Sequence, residues 1–338
     1  MVNKDIKMDQ LNSIIGVGNP IIDITAELDE QTFNRYFTNN KISPGNFIIP
    51  SGNNNEFIKD LENMVTVKHT PGGSVMNTLR ICSQILHSNE QNSKYKLSML
   101  GSVGNDRKKS QIINSLNFYN INYFLQEIPD KETSQCGIGI YGRKRGLFAE
   151  IKASKYLSQE FINQNLEAIK QHDALLIEAY FIQEKPDLVK RLVEEFYRTN
   201  KYIIISLCDP FNEGHKNDII QIAKFSNMIF GNWRAKSEFN LEQQDYRKDV
   251  WFIETVGRQG VNCYKFNHPE KKLNFVRTSN PQNTITSEII DKNGAFDAFL
   301  GGFLSQQIQG NDLDQCCLNG NYAACQVLKN IGCSLNLI

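Results

Sequence analysis

Short, continuously apolar runs alternate along the chain with stretches whose apolar positions recur every three or four residues. The runs at 13–18 (SIIGVG), 96–104 (KLSMLGSVG), 174–181 (ALLIEAYF), 202–207 (YIIISL), 227–232 (NMIFGN) and 250–257 (VWFIETVG) read as strands. Because they are apolar on both faces, they are expected at the centre of a largely parallel sheet with helices on each side. Between them, Leu188, Val189, Leu192, Val193 and Phe196 form one helical stripe, with Pro186 where a first helical turn tolerates it. Val75, Leu79, Cys82 and Leu86 repeat the stripe over 74–87, and further helices are predicted over 294–307 and 313–329. A different texture, alternating and ending in polar turns, marks 121–128 (INYFLQEI) and 136–151 (CGIGIYGRKRGLFAEI). With 22–27 these segments are expected to form a separate small sheet. The whole predicts an α/β protein with no repeat period and no interdomain linker.

Length and charge narrow the function classes. A chain of 338 residues buries a full core as one large domain, with room for a small inserted element. The 37 Lys+Arg residues balance 37 Asp+Glu, so no global field favours a nucleic acid or an anionic membrane as partner. The eight cysteines show no CxxC pair and no Cys/His cluster at zinc spacing, and Cys316 and Cys317 are adjacent. Reduced, mostly buried thiols in a cytoplasmic protein are the expectation. The first ten residues are polar, and no apolar run approaches the ~20 residues that span a bilayer.

Candidate chemistry lies in glycine-marked loops after strands, where parallel α/β sheets collect their ligands. GVGNPI at Gly16 fails the dinucleotide fingerprint, because Pro20 and Ile21 stand where helix and a third small residue are needed. No GxxxxGK[ST] loop occurs. PGGSVMN (71–77) allows close backbone approach to a ligand, or is simply a tight turn whose Ser74 caps the next helix. NGAFDAFLGGFL (293–304) begins as an anion-binding turn feeding a helix, yet places a phenyl ring, Phe296, directly after the small Gly294 and Ala295.

Taken together, GNPIIDI, HTPGGSVMNTLR, GSVGND, SNMIFGN, ETVGRQG and IIDKNGAFDAFLGGFLSQ occur in an order and spacing that resembles the ribokinase-like (PfkB) family, nearest its adenosine kinase branch. The resemblance runs from Gly16 to about Cys333 and includes NYAACQVLKNIGC. It implies a single domain over 1–338, a central mainly parallel sheet flanked by helices, and a small β lid from segments at about 22–50 and 121–152. It implies ATP and Mg²⁺ as cofactors, and adenosine or a related nucleoside as the molecule bound, phosphorylated on its ribose 5′-OH. By the same resemblance Asp297 matches the catalytic base, and Gly294, Ala295 and Phe296 occupy the anion hole. Asp23, Gly72, Gly73 and Asn77 match the nucleoside-binding positions, and Arg145, Asn232, Thr255 and Gly257 those facing phosphate and nucleotide. No metal ligand is assigned.

Departures from the pattern concentrate at the phosphate. Phe296 replaces the second glycine of GAGD, Lys292 stands where a threonine is usual, either to pair with phosphate or to plug the site as an internal cation, and Ala235 replaces the glutamate of NxxE. Met76, Phe47 and Glu178 alter the side that would recognise the base, and Ser110 replaces the last glycine of GxDxxG. An impaired adenosine kinase-like protein is the leading expectation. An active nucleoside or sugar kinase using Asp297, and a scaffold subunit of a larger protein assembly, remain open.

Overall fold

The computed structural model describes residues 6–38, 47–48, 56–64, 66–87, 94–142, 144–207, 213–268, 272–279 and 289–335. Its strands, in chain order, are β1 Ser13–Val17, β2 Ile21–Glu27, β3 Phe47–Ile48, β4 Lys68–Gly72, β5 Lys96–Gly104, β6 Asn122–Ile128 and β7 Ser134–Tyr141. There follow β8 Lys144–Glu150, β9 Ala174–Glu178, β10 Tyr202–Ser206, β11 Met228–Asn232, β12 Val250–Thr255, β13 Val261–Asn267 and β14 Lys272–Ser279. Among the described residues a nine-stranded sheet has the order β14-β13-β12-β11-β10-β9-β1-β5-β6, and a five-stranded sheet the order β3-β8-β7-β2-β4. The large sheet is parallel from β6 through β12 and turns antiparallel at β13 and β14.

The continuously apolar strands are central, as their composition demands. Side chains alternate across a strand, so Ile14, Leu176, Ile204 and Phe230 enter one core, with the helices Ser74–His87, Ala295–Ile308 and Leu313–Val327. Their neighbours Ile15, Leu175, Ile203 and Ile229 enter the other, against Leu188, Val189, Leu192, Val193 and Phe196 of the helix Pro186–Arg198. Each such side chain, fully buried, contributes about 1.5–3 kcal/mol.

The helix Ala295–Ile308 is buried nearly all round, which its two consecutive glycines permit. A Cβ on Gly301 would lie 2.6 Å from the Thr78 carbonyl oxygen, and one on Gly302 would lie 2.6 Å from that of Asn319. Backbone therefore meets backbone on both flanks of this helix.

Two segments differ from the sequence expectation. The run 174–181 is a strand only to Glu178; Ala179–Glu184 is a short helix that buries Phe181 and Ile182. An apolar run of this length is compatible with a strand or a buried helix, and period alone does not separate them. Asn122–Ile128 is not part of the small sheet. It is the edge of the large one, pairing in parallel with β5 from Ser98↔Asn122 to Gly104↔Ile128, and as an edge strand it is only partly buried, with Phe124 and Leu125 packing on opposite faces. The small sheet is instead built from β2, β7 and β8 with β4 and the short β3, so of the 121–152 segment only the part from Ser134 onward enters it.

Candidate functional site

The order of the large sheet fixes where a ligand can enter. From β1 the chain continues to β5 and β6 on one side and to β9, β10, β11 and β12 on the other, so the strand order reverses at β1. Beyond the carboxyl ends of strands at such a switch point the connecting loops part and leave a crevice. Here it is a cavity of about 300 Å³. Asn19, just after β1, and Glu178, at the end of β9, form its base; Cys136, Leu147 and Ala149 of the small sheet cover it; Ser74, Asn77 and the turn from Lys292 to Asp297 close one side.

Asp297 stands in the first turn of the helix Ala295–Ile308, behind Gly294, whose φ of +74° a side chain would strain. It is 9% exposed. The Ser74 hydroxyl donates to its Oδ1 at 2.7 Å and Asn77 Nδ2 to its Oδ2 at 3.0 Å. Ser74 thus serves Asp297 rather than merely capping its own helix. Burial pushes the Asp297 carboxyl above its usual range, and the bonds from Ser74 and Asn77 act against that rise.

Asp23 projects from β2 into the same cavity. β2 pairs antiparallel with β4, setting Ile21 opposite Gly72, and a Cβ on Gly72 would lie 2.4 Å from Asp23 Oδ2. Gly73 has φ +101°, and a Cβ there would lie 2.1 Å from the Asn19 carbonyl oxygen. Both glycines are therefore required by close approach. Loss of water around Asp23 pushes its carboxyl up to about 7; Arg80 acts against this, while Asp297 and Asp291 add to it.

Of the other positions named from the sequence, Arg145, Gly294 and Phe296 line the cavity, and Ala295 is the first helical residue beside them. Phe296 is half-buried, its ring packed partly against the main core. Lys292 lines the cavity but is exposed, so it is not an internal plug. Met76 is fully buried in the core and does not reach the cavity. The Phe47 side chain lies outside the described residues. Asn232, Thr255 and Gly257 are not among the cavity residues; they sit at and beyond the carboxyl ends of β11 and β12. There Asn232 Oδ1 accepts from the backbone N–H of Ala235 at 3.0 Å, Thr255 donates to the Gly231 carbonyl at 3.3 Å, and Gly257 is exposed. Asp106 caps the helix Arg107–Phe118 and accepts from the Thr133 hydroxyl at 2.7 Å, so this turn holds without its last glycine.

Arg145 reaches Asp291 rather than open solvent. Its Nη1 lies 3.0 Å from Asp291 Oδ1, with side-chain exposures of 17% and 3%. Asp291 also accepts from the backbone N–H groups of Asn293 at 2.9 Å and Gly332 at 3.1 Å. One carboxylate therefore ties the small sheet to the turn before Asp297. Asp291→Ala should cost about 3 kcal/mol, because a largely buried guanidinium is left without its partner. Urea unfolding checks this, and a loss below about 1 kcal/mol would show that Arg145 finds another partner.

Sequence reasoning missed Asp291, Ser74 as a partner of Asp297, and the pair Asn19 and Glu184, whose side chains bond at 3.1 Å. The one visible signal was Glu178, an acidic residue closing an otherwise apolar strand.

The fit of a nucleotide and a divalent cation is uneven. The first-turn N–H groups of Ala295–Ile308 have no acceptor within the helix, and Arg145 and Lys292 are near enough to line the same cavity, which suits a phosphate. Among the described residues no group of three or more His, Cys, Asp or Glu side chains is placed to hold a metal ion. Ala235 is fully buried and offers no oxygen. None of the helices among the described residues is long and apolar enough to cross a membrane.

The sequence model of the pfkB family carbohydrate kinases matches residues 47–338. The chain belongs to that family. Within it, adenosine kinase 1 of Arabidopsis thaliana is 23% identical over 340 residues, covering 95% of each chain. The structure of Anopheles gambiae adenosine kinase in complex with P1,P4-di(adenosine-5) tetraphosphate superposes with a TM-score of 0.81 at 23% identity, covering 95% of this chain and 96% of that one. Schistosoma mansoni adenosine kinase in complex with 2-fluoroadenosine gives 0.84 at 17%, covering 97% and 98%. The α/β fold, with its large, mostly parallel sheet flanked by helices, is that of these kinases.

Proposed function

We propose that this pfkB family protein is an adenosine kinase-like nucleoside-binding protein whose phosphoryl transfer is impaired. The observation that carries this reading is the pairing, in one cavity, of an intact set of polar groups (Asp23, Gly73, Asn77 and Asp297) with a phenyl ring, Phe296, in the turn where phosphate would be held. In this reading Asp23 accepts from two ribose hydroxyls, in charge-assisted bonds of about 1.5–3 kcal/mol each. Gly72 and Gly73 allow that sugar to approach backbone. In this reading Asp297 takes the proton of the 5′-hydroxyl. ATP with Mg²⁺ supplies the phosphoryl group when bound, and Arg145, Asn232, Thr255 and Gly257 are the positions to face it.

Three features weaken the phosphate side. Phe296 lines the cavity at the first turn of Ala295–Ile308, and in this reading its ring competes with the phosphoryl that the first-turn N–H groups would stabilise. Arg145 is engaged by Asp291. Ala235 supplies no carboxylate to organise Mg²⁺ and its waters. The small sheet, with β2, β7 and β8, acts as a lid over the nucleoside in this reading.

Calorimetry with adenosine should give binding heat that Asp23→Ala abolishes, while a coupled assay with adenosine and Mg·ATP gives turnover far below the ~1–100 s⁻¹ usual for kinases. Absence of binding at millimolar adenosine would sink the nucleoside reading and leave the fold as a scaffold in an assembly. Ordinary kinase turnover would establish the second reading, an active nucleoside kinase. That alternative is favoured by Asp297, which keeps two hydrogen-bond donors and its place in the first helical turn.

A further inference from the structure

Glu178 has no counterpart in the roles just described, yet it lies at the base of the cavity. Its side chain is almost fully buried, at 2% exposure. Oε1 accepts from the backbone N–H of Asn19 at 3.3 Å, and Oε2 has no hydrogen-bond partner among the described residues. A Cβ on Gly18 would lie 3.0 Å from Oε1, so the carboxyl rests against bare backbone. The charged groups that bear on it are Asp297 across the cavity and Glu184 on the following helix, both acids; Ser74, which donates to Asp297, also reaches toward Glu178. None of the ion pairs among the described residues includes Glu178. Two carboxyls buried against one small cavity do not both ionise readily. The less well solvated one, with an unused oxygen, is the one that keeps the proton.

We propose that Glu178 is a positioning residue that works protonated: its neutral carboxyl keeps a further negative charge from facing Asp297 across the cavity, and its ionisation closes the site to an incoming phosphoryl group. Burial, followed by the charge of Asp297, lifts the Glu178 carboxyl to about 8, against an ordinary value of 4.5. At neutral pH the base of the cavity is therefore a hydrogen-bond donor. Above pH 8 it adds a further carboxylate across from Asp297, and an anionic phosphoryl group is repelled. The inference rests on the reading of Asp297 as the base that receives the hydroxyl proton.

The sign of the linked stability follows. Unfolded, Glu178 ionises near 4.5; folded, it does so near 8. The native state holds the extra proton between these values, so its contribution to stability falls as pH rises through that window. Glu178→Gln should remove the slope, and the urea midpoint of the variant should gain on that of the wild type progressively toward pH 8.

The direct test is a pH titration of side-chain carboxyl carbons by NMR. In the wild type one buried carboxyl should titrate near pH 8, be absent in Glu178→Gln, and move down in Asp297→Asn, where the neighbouring charge is gone. The absence of a carboxyl titrating above pH 7 that Glu178→Gln removes, or a Glu178 midpoint unmoved by Asp297→Asn, overturns the proposal whether or not the protein turns over substrate. Where turnover is measurable, in the wild type or in Phe296→Gly, the rate should fall about tenfold per pH unit above the Glu178 midpoint. That alkaline limb should vanish in Glu178→Gln whatever the absolute rate, and return in Glu178→Asp. Turnover without an alkaline limb overturns the proposal and leaves the kinase reading standing. A coupled titration with no turnover in any variant supports the paired carboxyls and overturns the kinase reading.

Discussion

Replacing Phe296 by glycine is expected to raise phosphoryl transfer to adenosine by about 10²–10³-fold, the range over which one charge-stabilising donor acts in an active site. The ring lines the cavity and packs in part against the main core. Removing it frees cavity volume beside the first turn of the helix Ala295–Ile308. The same change should lower stability by about 2–3 kcal/mol, from lost apolar burial and a glycine inside the first turn. Activity and melting temperature therefore move in opposite directions, and both are read on one purified variant. If Phe296→Gly melts lower and shows no gain in transfer, the ring is not what obstructs the phosphate. Adding Ala235→Glu is a poor companion to this test. Ala235 is fully buried, so a longer acid there must displace packing rather than restore a metal site.

Asp297→Asn in the Phe296→Gly background should erase the gain, by about 10²–10⁴-fold, the usual contribution of a positioned general base. The amide keeps the shape and can still bond with Ser74 and Asn77, but it cannot take a proton. Burial disfavours the ionised form of Asp297, so the amide should melt at the same temperature or higher, as is common when a functional charge is removed. A variant that retains transfer within threefold of its parent would place the base elsewhere, and one that melts much lower would mean that the carboxylate is chiefly structural.

The sheet was legible because β1, β9, β10 and β11 are covered on both faces and so are apolar throughout. Edges were not, since Asn122–Ile128 alternates at the rim of the large sheet just as it would in a small one. Nor was the break after Glu178, where Tyr180 and Phe181 suit a strand or a buried helix equally. At the site, Asp297 and Asp23 stood out through the motifs around them. Their surroundings did not: Ser74 is 223 residues from Asp297 and Asp291 is 146 residues from Arg145, and no local pattern encodes partners that only the strand order brings together. Whether Lys292 was buried likewise depended on packing that the sequence does not display.

Gly301 and Gly302 have a mechanical consequence. With carbonyl oxygens of Thr78 and Asn319 where their side chains would be, the helix carrying Asp297 is gripped from two directions four and five residues downstream of it. It can neither roll nor slide without losing both contacts. The residue at position 296 can therefore change what the cavity holds while this grip keeps Asp297 in place.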